Sequence, residues 1–170
     1  VVIDDFFDAG FCRRLQADFP GFDDRFARNE MGDVGGKAVR PDLPTLSQAY
    51  GGLDRLLQSE AFLQLVGRIT GIDGLLYDPG YVGGGTHENT HGQGLAAHID
   101  FNHLPGTGWH RRLNLIVYLN DEWSEQWGGC LDLHSDPWDG AADEVTRLVP
   151  AFNRCVVFET SEHSWHGFEA

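Results

Sequence analysis

An α+β architecture is predicted, with helices first and an antiparallel β-structure after them. Apolar residues recur at helical spacing as far as Ile69, and from Leu75 the pattern switches to period two. The strand-like runs after that point are short and bounded by Gly, Pro and Asn. Helices followed by many short strands imply helices packed on one face of an antiparallel sheet. Strands of this number and length are expected to close into a double-stranded β-helix, or jelly roll. One domain over 1–170 is expected, with 1–73 mainly helical and 74–170 forming the β core.

The elements follow in order. Val1-Val2-Ile3 opens as a strand, and Asp8 is placed to cap a helix running to about Phe19, with Phe11, Leu15 and Phe19 as its apolar stripe. Pro20-Gly21 ends it, and 21–44, rich in Gly, Pro and charge, reads as loop. Leu46 to Ile69 reads as two helices broken near Ser59, the first lined by Leu53, Leu56 and Leu57, the second by Phe62, Leu65, Val66 and Ile69. Gly71 terminates the second. Strands are expected at 75–82, 95–101, 111–119, 130–134, 144–149 and 155–159, with a last one beginning near His166.

Composition excludes several functions. The net charge of −14, with 12 basic residues of which one is lysine, cannot assemble a basic face for nucleic acid or an anionic membrane. No apolar run approaches the roughly 18 residues of a membrane span. Cys12, Cys130 and Cys155 form no CxxC pair, so neither a disulfide framework nor a zinc knuckle is implied, and a reducing, cytoplasmic compartment is expected. Val1 stands where an initiator Met would, so a fragment or processed chain is expected. Oligomeric state is not legible.

His98-Ile99-Asp100 carries the chemistry. On a strand, residues i and i+2 project from one face, so His98 and Asp100 can hold one metal ion together. His166, in Ser164-Trp165-His166, supplies a third donor from a distant strand; His163 competes for that place, but His166 precedes a glycine that gives room for close approach to a metal. Two histidines and a carboxylate leave positions open on an octahedral Fe(II), which suits oxygen chemistry. Gly83-Gly84-Gly85 permits a bend, and His87 beyond it could reach cosubstrate or substrate; a solvent-facing histidine reads the same. No strand–loop–Lys–helix context for a phosphate loop surrounds these glycines, and no Gly-x-Ser-x-Gly elbow is present.

After the HxD come Arg111-Arg112-Leu113-Asn114 running to Tyr118-Leu119-Asn120, then Gly128-Gly129-Cys130-Leu131, then Pro150-Ala151-Phe152-Asn153-Arg154, then Ser164-Trp165-His166. This ordered set resembles the prolyl 4-hydroxylase-like branch of the Fe(II)/2-oxoglutarate oxygenases over roughly the C-terminal half. The resemblance implies Fe(II), 2-oxoglutarate as cosubstrate and O2, with ascorbate as an accessory requirement left open. It also implies hydroxylation of an unactivated C–H bond in a peptidyl residue, amino acid or other small molecule; the retained Asp100 favours hydroxylation over halogenation. Tyr118 would donate its hydroxyl to a carboxylate of 2-oxoglutarate, Asn114 would face the same pocket, and Leu131 would supply apolar wall. A basic residue some ten positions past the distal histidine pairs with the far carboxylate in that family, and the chain stops at Ala170. A missing C-terminal strand is therefore expected, with Arg111, Arg112 or Arg154 as upstream substitutes and Arg112 favoured for sharing strand parity with Asn114 and Tyr118. The rival reading is a non-catalytic or Zn/Mn-dependent cupin-like metal-binding domain.

Overall fold

The computed structural model describes residues 1–27 and 36–170. They form two compact units, one of Val1 with Asp8–Thr90, the other of Val2–Phe7 with His91–Ala170.

The first unit holds the helices. Asp8 caps α1 (Ala9–Ala17) by accepting from the Phe11 N–H, and Ser47 and Ser59 cap α3 (Gln48–Leu57) and α4 (Glu60–Thr70) in the same way. Gly71 ends α4 in the left-handed conformation expected of a C-terminal glycine. The buried faces match the expected stripes in part, at Leu15, Phe62 and Val66. Cys12 and Leu15 are buried in α1, Tyr50 in α3, and Phe62, Val66 and Gly67 in α4, whereas Leu56, Leu65 and Ile69 are exposed. The Tyr50 hydroxyl, buried on α3, donates to the Leu15 carbonyl of α1 at 3.0 Å. Part of the loop expected at 21–44 lies outside the described residues. Within the rest, Ala38–Arg40 is a strand (β2) and Leu43–Leu46 a short helix (α2). No described helix is long and apolar enough to cross a membrane.

The strand expected at 75–82 does not form. The Asp78 carboxylate accepts from the Gly80 and Val82 N–H groups, and Tyr81 takes a positive φ, so Asp78-Pro79-Gly80 is a turn. Tyr77 and Tyr81 both donate to Asp54 on α3, which holds this segment in place. Beyond it Gly85, at φ +107, permits the expected bend: a Cβ there would lie 2.1 Å from the Arg40 carbonyl oxygen. β3 (Thr86–Glu88) then pairs antiparallel with β2.

The second unit contains two antiparallel sheets. One has the order β1-β8-β5, from Val2–Ile3, Cys155–Glu159 and Leu113–Val117. The other has the order β4-β9-β6-β7, from Leu95–His98, Trp165–Phe168, Leu131–His134 and Val145–Leu148. The strands expected in this unit lie in the right places: 155–159 has the expected bounds, the last begins at Trp165, and those at 95–101, 111–119, 130–134 and 144–149 are shorter than expected. Asn153 ties the first sheet together at φ +58: its side chain accepts from the Phe7 N–H and donates to the Phe7 carbonyl, while its backbone N–H donates to the Tyr118 carbonyl. In the second sheet Arg147 donates twice to Asp132, 2.7 Å each, which pins β6 to β7. The three cysteines are free, buried thiols.

Candidate metal centre

β4 and β9 place the two histidines opposite each other. His98 is the register partner of His166, and a one-residue irregularity between Leu95 and His98 sets that pairing. Such bulges re-aim side chains beside functional sites. Gly167 makes the approach possible, because a Cβ there would stand 2.5 Å from the Leu95 carbonyl oxygen. The glycine after His166 thus makes room for strand β4, whereas the sequence suggested room for a metal.

Each imidazole is held in one tautomer. The Nδ1–H of His98 donates to the Ala96 carbonyl at 3.0 Å, and that of His166 to the Ser164 carbonyl at 2.9 Å. A ring that donates from Nδ1 presents the Nε2 lone pair, which is the arrangement a metal ligand needs. The Nε2 atoms lie 3.8 Å (His98) and 3.5 Å (His166) from the Asp100 carboxylate oxygens, and one ligand atom from each residue falls within 4.8 Å of the others. His163 is exposed and stands outside this cluster.

The other sheet supports the carboxylate. Asn114, buried on β5, donates to Asp100 Oδ2 at 2.6 Å. Arg111 donates to Asn114 Oδ1 and lies 3.3 Å from Asp100 Oδ2, with its guanidinium over the Phe101 ring. Burial alone would raise the Asp100 carboxyl, but the Asn114 hydrogen bond and the nearby cations hold it below the ordinary value. Burial also lowers His166, which favours its neutral form. Phe158, register partner of Asn114 on β8, packs against the His166 ring at 5.0 Å. The two sheets therefore meet at this cluster.

The remaining expected residues fall in different places. Leu131 is buried and shares a face with Leu133, the register partner of His166. Tyr118 is pushed up to about 12 by burial, and its hydroxyl has no hydrogen-bond partner among the described residues. His87 sits on β3 opposite Val39, in the first unit. Arg112 is not beside Asn114: it donates to Glu159 at 2.7 Å, and Arg111 takes the place at Asp100. β5 begins at Leu113; before it the Arg112 carbonyl accepts from the Thr160 N–H, and the Arg111 N–H donates to the Asn102 carbonyl. Arg111 was legible only as one of two adjacent arginines, and nothing in the sequence singled out Phe158 as a neighbour of His166.

Two imidazole nitrogens and one carboxylate oxygen, with no thiolate, make a mononuclear non-haem metal centre of a kind that fits Fe(II). Residues 84–170 match the 2OG-Fe(II) oxygenase superfamily. The chain belongs to that superfamily. It is also similar to prolyl 3-hydroxylase OGFOD1 of Xenopus laevis, 42% identical over 57 residues, which are 33% of this chain and 11% of that protein's length.

Proposed function

We propose that this chain is an Fe(II)- and 2-oxoglutarate-dependent dioxygenase that hydroxylates a prolyl residue of a peptide or protein, on a double-stranded β-helix formed by the two sheets of the second unit. The observation that carries it is the pair of Nε2 lone pairs turned with the Asp100 carboxylate toward one point. The prolyl substrate rests on the likeness to the Xenopus prolyl 3-hydroxylase. His98, Asp100 and His166 would hold Fe(II), which with 2-oxoglutarate and O2 supplies the oxidising power to replace a C–H hydrogen by hydroxyl, giving succinate and CO2.

The chain's own residues prepare that centre. Asn114 and Arg111 keep Asp100 ionised and engage Oδ2. Phe158 and Leu133 flank His166 with apolar surface. The Tyr118 hydroxyl, without a hydrogen-bond partner among the described residues, is the donor for a 2-oxoglutarate carboxylate, and Leu131 walls the same pocket. Anaerobic titration with Fe(II) and then 2-oxoglutarate should produce a weak visible charge-transfer band, absent in Asp100→Ala. Succinate formation coupled to O2 uptake completes the test, and no band together with no succinate would sink the reading.

A further inference from the structure

The hairpin joining β4 to β5 and the loop joining β8 to β9 border an open groove of about 390 Å³. Asn102, His103, His110, Arg112, Glu159 and Glu162 are among the residues that line it. His103 and His110 are bridged across the hairpin with their rings edge to face at 4.9 Å. Arg111 joins this groove to the metal centre. Its N–H donates to the Asn102 carbonyl at 2.8 Å, its carbonyl accepts from Thr160 Oγ1 at 2.6 Å, and its side chain reaches Asp100.

Two features of the groove call for an occupant rich in donors. Asn102 Oδ1 is buried and accepts no hydrogen bond among the described residues, a costly state for a polar atom unless a ligand supplies the donor. The second unit also carries fourteen Asp and Glu residues against four arginines and no lysine. Each arginine already has a carboxylate: Arg111 with Asp100, Arg112 with Glu159, Arg147 with Asp132, Arg154 with Asp4. Glu162 has no cationic partner among the described residues, and Glu159 spends one oxygen on Arg112. Such a wall attracts a cation and repels an acidic or phosphorylated segment.

Resting on the hydroxylase reading above, we propose that this groove receives the residue flanking the hydroxylated one and selects Lys or Arg there. A backbone N–H of the peptide meets Asn102 Oδ1. The cationic head lies between Glu162 and the free oxygen of Glu159, with its methylene stem along the His103–His110 pair.

The test uses two proline-centred peptides, identical except for Arg or Glu on both sides of the proline, titrated anaerobically by calorimetry into protein holding Fe(II) and 2-oxoglutarate. Peptide-independent succinate formation is measured separately. The Arg peptide should bind tighter by on the order of tenfold, with a margin that shrinks as salt rises. Glu162→Lys should remove the margin and leave peptide-independent succinate formation unchanged. Asn102→Ala should weaken both peptides without lowering Tm, because it deletes an unpaired acceptor. Equal binding of the two peptides, a margin that survives Glu162→Lys, or full affinity in Asn102→Ala would overturn the proposal. Succinate with no margin condemns the groove alone, whereas a Glu162-dependent margin with no succinate upholds the groove and condemns the hydroxylase reading.

Discussion

His98 and His166 face each other across two antiparallel strands, and each ring is locked by the same bond, from its Nδ1–H to the carbonyl two residues earlier. Strand pairing brings the rings to 4.4 Å between centroids, and the two backbone bonds turn both Nε2 atoms toward Asp100. Orientation here belongs to the backbone, so it exists before any metal arrives. The same geometry makes several outcomes predictable.

Asn114→Ala should weaken Fe(II) or Co(II) binding by about 10- to 100-fold while the fold survives, the usual loss when a group supporting a metal ligand is removed. Asp100 would keep its burial and lose its closest donor. Metal affinity by competition with a chromophoric chelator checks this, and wild-type affinity would show that the Asn114–Asp100 bond does not support the ligand.

Gly167→Ala should be destabilising by about 1–3 kcal/mol, the typical range for forcing a methyl into packed structure. The new Cβ would stand on the Leu95 carbonyl oxygen, so β4 must part from β9 and carry His98 away from His166. Chemical denaturation measures the first effect and the Co(II) absorption spectrum the second; an unchanged spectrum would mean that β4 tolerates the methyl.

Acid should act through His166 before Asp100. The folded His166 has a lowered pKa, so the unfolded chain binds its proton first, and stability falls as pH drops below the unfolded value of 6.5 toward the folded one. Asp100, also lowered, contributes stability that is present above 3.8 and lost below it. In metal-free protein the His166 ring resonances should titrate below pH 6.5 by NMR. A midpoint above 6.5 would contradict the burial that lowers it.

Tyr118→Phe should leave stability nearly unchanged, since the hydroxyl has no hydrogen-bond partner among the described residues to lose. It should raise the 2-oxoglutarate requirement roughly 10- to 150-fold, the cost of one hydrogen bond to a charged group. Iron affinity should not move. An unaltered KM for 2-oxoglutarate would place Tyr118 outside the cosubstrate pocket.

Local chemistry was legible in the chain itself. Capping residues and Gly71 marked the helix ends, period-two runs marked six of the strands, and the HxD with a distant Ser-x-His marked the metal donors, because each depends on neighbours within a few residues. Locally read signals failed at 75–82, where Asp78 offered its own backbone a turn that competes with strand pairing, and they missed β2, α2 and β3. Tertiary structure alone decided what depends on partners far away in sequence. Which face of each helix is buried, which strands neighbour β9, and whether Arg111 or Arg112 reaches Asp100 were settled by non-local pairing and by the exact residue at which a strand begins. Those pairings join residues far apart in the chain, so no local pattern records them.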